Sequence, residues 1–187
     1  MADPDVYTLP DDLPVPEDDG ACDHLPGRSL PALQLPATAG ERIDLAELGA
    51  QRTAVLFIYP RTGKPGEPLP PGWDLIPGAR GCTPQSCAFR DLHTEFADRG
   101  VDVIGLSAQS AEDQAEFAQR VHLPFPLLSD PALELAEGLE LPTFTVAGVT
   151  LYKRVSLVIR EGVIARVFYP VFPPDRNAAD VFAWLAR

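Results

Sequence analysis

The chain has 187 residues and a formal net charge of −12, and 45% of its residues are hydrophobic. This length and composition predict one domain plus an extension, and the charge argues against nucleic acid or an anionic membrane as a partner. No apolar run approaches the roughly 20 residues that span a bilayer, and the acidic start does not resemble a signal peptide. Three cysteines are too few for a disulfide scaffold. We therefore expect reactive thiols in a reducing, cytoplasmic compartment.

Residues 1–27 have the composition of an extension. Eight acidic residues, several prolines and no Lys or Arg fall within residues 1–25, a composition that favours an acidic, Pro-rich arm without regular structure. Its apolar side chains, among them Val6, Tyr7 and Leu9, allow the arm to lie along the domain. Cys22 stands near its end outside any motif, and we interpret it as an incidental thiol. The folded domain is predicted over residues 28–187.

From residue 30 onward, strands and helices alternate. Residues 30–35 with the turn after them predict a hairpin, and residues 53–59 predict a buried strand that Pro60 stops. Between Pro60 and Gly81, eleven of twenty-two residues are Pro or Gly, which predicts a long loop of the kind that is usually functional. Downstream, the pattern predicts helices over 85–99, 110–119, 131–137 and 175–185, strands over 101–107, 125–128, 154–159 and 163–169, and an irregular segment over 143–149. This alternation predicts an α/β, thioredoxin-like fold in a single domain, with a central mixed sheet flanked by helices.

Two of the three cysteines, Cys82 and Cys87, lie five positions apart where the long loop gives way to a helix. Thr83-Pro84 is typical of a helix start, with Thr83 predicted as the capping residue and Pro84 at the first helical position. A cysteine at such a start faces unpaired N–H groups and the positive end of the helix dipole, and Arg80 adds a cation. The thiolate is therefore favoured at Cys82, which makes it the candidate nucleophile.

The spacing of the two cysteines sets a geometric condition on any bond between them. Five residues of α-helix place their Cα atoms about 8–9 Å apart, beyond the roughly 7 Å limit for a disulfide. A bond between Cys82 and Cys87 would require the first helical turn to unwind, as expected of a switch.

The motif Gly-Cys-Thr-x-x-x-Cys-x-Phe-Arg-Asp at residues 81–91 resembles the active-site segment of peroxiredoxins of the bacterioferritin-comigratory (PrxQ) type. A looser resemblance extends from about residue 30 to the C-terminus. It implies that Cys82 reduces hydrogen peroxide or organic hydroperoxides and becomes a sulfenic acid. It also implies that Cys87 then closes a disulfide, which a thioredoxin-like reductant reopens. The alternative is a peroxide or thiol redox sensor on the same fold.

The resemblance also assigns a cationic residue to the site. Lys153-Arg-Val-Ser-Leu-Val-Ile159 matches the family context of an arginine that assists peroxide attack, which selects Arg154. A solvated cation at a strand end is the alternative for this residue, and Arg90 is a weaker candidate. We expect no metal, since a zinc site of Cys82, Cys87 and His93 lacks a fourth ligand. We expect no organic cofactor, since no phosphate-binding glycine loop or dinucleotide fingerprint follows any strand. The protein is expected to be a monomer or a weak homodimer.

The chain departs from the family pattern Pro-x-x-x-Thr-x-x-Cys. Ala79 stands where the family has the threonine, so its hydroxyl is missing there, and Thr62 or Thr83 is left to replace it. The matching proline is Pro60, which lies 22 positions before Cys82 instead of seven. We interpret residues 61–81 as an expanded catalytic loop.

Overall fold

A computed structural model describes residues 5–187, and the first four residues of the predicted arm lie outside the described residues. Nine strands are found in the described chain: β1 (Gln34–Pro36), β2 (Arg42–Asp44), β3 (Thr53–Ile58), β4 (Val101–Ser107), β5 (Leu127–Ser129), β6 (Thr143–Val146), β7 (Val149–Tyr152), β8 (Val155–Arg160) and β9 (Val163–Phe168). The α-helices of the same residues are α1 (Cys82–Asp91), α2 (His93–Asp98), α3 (Ala111–Arg120), α4 (Glu134–Leu139) and α5 (Asn177–Leu185).

The central sheet has five strands in the order β5-β4-β3-β8-β9. β3 pairs parallel with β4 and antiparallel with β8, so the sheet is mixed. Two short hairpins, β1-β2 and β6-β7, lie outside it. With helices on both faces, this is the predicted α/β architecture.

The middle strand is buried on both sides, which explains its uninterrupted apolar sequence. Val55 and Phe57 point to one face, where they pack with α1, α2, α3 and α5. Leu56 and Ile58 point to the other, where they pack with α4. We call these the α1 face and the α4 face. The loop that leaves β3 therefore begins in the centre of the molecule and returns at the start of α1.

Two predicted elements differ from those observed. The single helix predicted over 85–99 is two helices, which begin at Cys82 and at His93 and are separated by Leu92. The segment predicted as irregular over 143–149 belongs to the hairpin β6-β7. The long loop does lack α-helix, with one 3-10 turn at Trp73–Leu75. Trp73 is buried against Ala79 and Leu151 and fixes the middle of this loop.

Residues 5–27 form turns without a helix or strand and lie against the domain. Val6, Cys22 and Leu25 are buried, whereas Tyr7 and Val15 are exposed. Asp19 accepts hydrogen bonds from Lys153 Nζ at 3.0 Å and from Tyr169 Oη at 2.8 Å. The domain boundary at residue 27 stays a prediction. Among residues 5–187, each helix is too short or too polar to cross a bilayer.

Candidate active site

The helix α1 begins at Cys82, directly after a glycine with a left-handed backbone. Gly81 has φ of 103°, and its carbonyl accepts the first helical bond from Gln85 N at 3.0 Å. A Cβ at residue 81 would lie 2.6 Å from Pro174 Cγ and 2.8 Å from Leu9 Cδ2. Only glycine fits both this conformation and this space. The prediction that Thr83 caps the helix is wrong, because Thr83 lies inside the first turn and Gly81 takes the cap position.

The predicted nucleophile and the predicted cation are in contact. Arg154 Nη2 lies 3.3 Å from Cys82 Sγ, and each residue is only 3% exposed. The same nitrogen donates to the carbonyl oxygens of Gly78, Ala79 and Arg80 at 3.1–3.2 Å. Arg154 is therefore a buried cation that joins the end of the long loop to the sulfur. A solvated strand-end cation does not describe it.

A hydrogen-bonded series of buried polar side chains contacts the other terminal nitrogen of this arginine. Arg154 Nη1 donates to Gln85 Oε1, Gln85 Nε2 donates to Asn177 Oδ1 at 2.9 Å, and Ser156 Oγ donates to the same oxygen at 2.7 Å. Sequence reasoning missed Gln85, although it stands three residues after Cys82 and hence on the same side of the helix. Among the described residues, Arg154 Nε has no hydrogen-bond partner.

The other cation near the cysteine is already partnered. Arg80 Nη1 bonds to Asp74 Oδ1 at 2.9 Å, and Arg80 Nη2 donates to the carbonyl oxygen of Asp5 at 2.6 Å. The predicted effect of Arg80 on Cys82 is therefore reduced by the charge of Asp74. Arg90, the weaker candidate, donates to Asp91 and to the carbonyl of Val121.

Cys82 opens into a small cleft that we call the thiol cleft. It has a volume of about 10 Å³, and its walls are Val6, Arg61, Gly63, Leu69, Trp73, Arg80, Gly81 and Thr83. Thr62 is not among them, and its hydroxyl donates to Gln109 Oε1 at 3.1 Å. Of the two threonines left open by the sequence, Thr83 is the one that lines this cleft. A larger cavity of about 410 Å³ adjoins Arg154, and Cys82 does not line it.

Comparisons with known proteins show the family of this chain. The Redoxin family matches residues 25–183. A protein of Coxiella burnetii that is named as a bcp peroxiredoxin is 30% identical over 159 residues, which cover 83% of this chain and 94% of that protein. The chain belongs to the peroxiredoxins of the PrxQ type. As a peroxiredoxin it is a thiol peroxidase.

Two further comparisons support the assignment. The chloroplastic peroxiredoxin Q of Suaeda salsa is 26% identical over 85% of this chain and 66% of its own length. The crystal structure of peroxidoxin BcpB from Mycobacterium tuberculosis has a TM-score of 0.70 and 28% identity, covering 87% of this chain and 97% of that one. The family match begins at residue 25, so most of the N-terminal arm lies outside it.

The remaining cysteines of this peroxiredoxin differ from Cys82 in their surroundings. Cys87 lies on α1 and is half-buried, and burial raises the pKa of its thiol. Burial, together with the charge of Asp19, raises the pKa of Cys22 to about 12. Cys22 packs on the α4 face, whereas Cys82 packs on the α1 face. Within residues 5–187, no group of three or more His, Cys, Asp or Glu side chains is arranged to hold a metal ion.

Proposed function

We propose that this peroxiredoxin reduces hydrogen peroxide and organic hydroperoxides through Cys82, with Arg154 as the assisting cation. The observation that carries the proposal is the 3.3 Å contact between Arg154 Nη2 and Cys82 Sγ in a site closed to solvent. A fixed positive charge stabilises the thiolate more strongly in such surroundings than it would in water. Neither other cysteine has an arginine donating to its sulfur in the described chain.

The chemical step transfers one oxygen atom. The Cys82 thiolate attacks the outer oxygen of the hydroperoxide, a sulfur–oxygen bond forms and the oxygen–oxygen bond breaks. The leaving oxygen takes a proton and departs as water or an alcohol, and Cys82 remains as a sulfenic acid. Negative charge develops on the departing oxygen, so donors aimed at that position lower the barrier.

We assign two groups as donors to the substrate oxygens. Arg154 Nε is buried without a partner among the described residues, which leaves one guanidinium N–H free for an incoming oxygen. Thr83 lines the thiol cleft, and we assign to its hydroxyl the role of the family threonine that Ala79 replaces. Thr62 is unsuited because its hydroxyl already donates a hydrogen bond to Gln109.

The second step is assigned to Cys87. Its thiolate attacks the sulfur of the sulfenic acid, a disulfide forms and water leaves. Both residues belong to α1, so the first turn must unwind before the sulfurs meet. Cys22 is the poorer resolving thiol because its pKa is about 12 and it packs on the opposite face of the sheet. An external dithiol protein of the thioredoxin kind then reopens the bond by exchange.

The test is a stopped-flow measurement of Cys82 oxidation followed by a turnover assay. Arg154→Ala should slow oxidation by roughly two orders of magnitude, about 2.7 kcal/mol of barrier. Arg90→Ala is the matched control, since this arginine contacts Asp91 and Val121, and its rate should stay near that of the unmodified protein. Circular dichroism establishes that both variants are folded. An unchanged rate in Arg154→Ala would contradict the assignment.

Turnover with thioredoxin, thioredoxin reductase and NADPH separates the enzyme from the redox sensor. Sustained NADPH oxidation that depends on peroxide supports the enzyme with a thioredoxin-like reductant. Rapid formation of the disulfide without turnover with any dithiol protein would favour the sensor.

A further inference from the structure

The N-terminal arm contributes one wall of the thiol cleft. Val6 is 6% exposed and lines the cleft together with Cys82 and Thr83 from the start of α1. Its Cγ1 lies so close to the long loop that a Cβ at Gly63 would be 2.6 Å away. Leu9, three residues on, lies against Gly81. Part of the wall of the cleft that Cys82 lines therefore belongs to the arm, outside the part of the chain that matches the Redoxin family.

Two arginines of the domain attach this part of the arm. Arg80 Nη2 donates to the carbonyl oxygen of Asp5 at 2.6 Å. Arg120 Nη1 donates to Tyr7 Oη at 3.0 Å, and Arg120 Nη2 donates to the carbonyl oxygen of Gly63 at 3.0 Å. One arginine thus ties the arm and the long loop together beside Val6. No strand pairing or helix within residues 5–9 adds to these side-chain attachments.

The volume of the cleft limits what can approach the sulfur. The thiol cleft has a volume of about 10 Å³, which is room on the scale of a single water molecule. A hydroperoxide brings two oxygen atoms, and an organic hydroperoxide adds a carbon group next to them. The oxygen atoms alone come close to filling this space, so some wall must move for an organic hydroperoxide, and the required displacement grows with the size of its carbon group.

We propose that Val6, held by the contacts of residues 5–9, determines which peroxides this enzyme accepts by excluding bulky ones from the thiol cleft. The proposal rests on the assigned role of Cys82 as the peroxide-reacting thiol. A small shift of the Val6 side chain admits hydrogen peroxide. A bulky organic hydroperoxide requires residues 5–9 to leave Arg80 and Arg120. The arm is thus a specificity determinant that this chain adds to the Redoxin domain.

Matched substitutions in the arm isolate this effect. Val6→Ala removes two methyl groups from the wall of the cleft. Val15→Ala is the control, because it makes the same change in the same arm at a residue that is 64% exposed and does not line the cleft. Tyr7→Phe is a second variant that removes the acceptor of Arg120 at an exposed position. Thermal unfolding checks that all three are folded.

The first measurement compares second-order rates for cumene hydroperoxide and hydrogen peroxide. The fluorescence of Trp73, which lines the cleft, provides the stopped-flow signal. One methylene-sized group in an apolar pocket changes discrimination by roughly 10–200-fold, so Val6→Ala should raise the ratio of the two rates at least about tenfold. Tyr7→Phe should raise it in the same direction, and Val15→Ala should leave it unchanged.

The second measurement does not depend on peroxide chemistry. Reduced protein is alkylated with N-methylmaleimide or with the much larger N-pyrenylmaleimide, and the labelling of Cys82 is followed by peptide mass spectrometry. Val6→Ala should raise the ratio of Cys82 labelling by the large reagent to Cys82 labelling by the small one. If this ratio rises while every variant is slow with peroxides, the proposed function fails, but the proposal that Val6 excludes bulky molecules (the size filter) stands. If both ratios are the same in Val6→Ala, Tyr7→Phe and the unmodified protein, the size filter is overturned, whatever the peroxide rates.

Discussion

Replacement of Gln85 by leucine should weaken the reduced protein much more than the disulfide form. Gln85 is fully buried in the first turn of α1, where it accepts from Arg154 Nη1 and donates to Asn177 Oδ1. Leucine keeps most of the packing volume and removes both hydrogen bonds. In the proposed disulfide form the turn has already unwound, so both bonds are already lost.

The size of the effect follows from the partners. A hydrogen bond to a charged group contributes about 1.5–3 kcal/mol and a neutral one about 1 kcal/mol. The reduced form of Gln85→Leu should therefore lose about 2–4 kcal/mol in free energy of unfolding. For a chain of this length, each kcal/mol corresponds to roughly 2–4 °C in Tm. Because only the dithiol form is weakened, the reduction potential of the Cys82–Cys87 pair should fall by about 40–80 mV.

The assay measures thermal unfolding of the reduced and oxidised proteins, and the disulfide potential in a dithiothreitol redox buffer. Gln114→Leu is the matched control. Gln114 is also fully buried, accepting from Tyr59 Oη at 2.6 Å and donating to the carbonyl of Leu128, but it lies on α3. Its loss should weaken both redox forms equally and leave the potential unchanged. If Gln85→Leu behaves in the same way, the first turn of α1 does not unwind on oxidation.

Two further predictions concern the other cysteines. Cys87→Ser should react with peroxide within about twofold of the rate of the unmodified protein. Its Cys82 should remain a sulfenic acid and then over-oxidise to sulfinic acid, which intact mass measurement would show. A disulfide between Cys22 and Cys82 would contradict this. Cys22→Ala should reduce the loss of stability at alkaline pH. The pKa of the Cys22 thiol is near its ordinary value of 9.0 in the unfolded chain and about 12 in the native protein. The unmodified protein therefore loses stability as the pH rises through this window. Urea unfolding of reduced protein at pH 8 and pH 10.5 checks this, and equal losses in both proteins would refute it.

The parts of the fold with strong local patterns were predictable. β3 was identified because a strand buried on both faces needs an unbroken apolar run. The hairpin β6-β7 was missed because its turn is Ala147-Gly148, and both residues have positive φ. Such turns usually carry Asn or Asp at the first position, since alanine is strained there. The turn therefore carried no recognisable signal in the sequence.

The site residues that belong to a sequence motif were predictable. The contacts between residues far apart in the sequence were not. Cys82 and Cys87 follow from one segment, and Arg154 follows from the family resemblance. The contacts of Gln85 with Arg154 and Asn177 join residues 69 and 92 positions apart, and no local pattern encodes them. The proposed choice of Thr83 over Thr62 likewise depends on a distant residue, because the hydroxyl of Thr62 donates to Gln109, 47 positions along the chain.

Arg154 links the two motions that the proposed cycle requires. Its Nη2 holds the carbonyls of Gly78, Ala79 and Arg80, and its Nη1 holds Gln85 in the first turn of α1. Arg80, in turn, holds the arm through Asp5. Unwinding of the turn releases Gln85 and frees the segment that carries Arg80, so formation of the disulfide should also loosen the arm. Hydrogen exchange should then increase at residues 5–9 together with residues 80–92 on oxidation. An increase confined to residues 80–92 would show that the arm and the helix move independently.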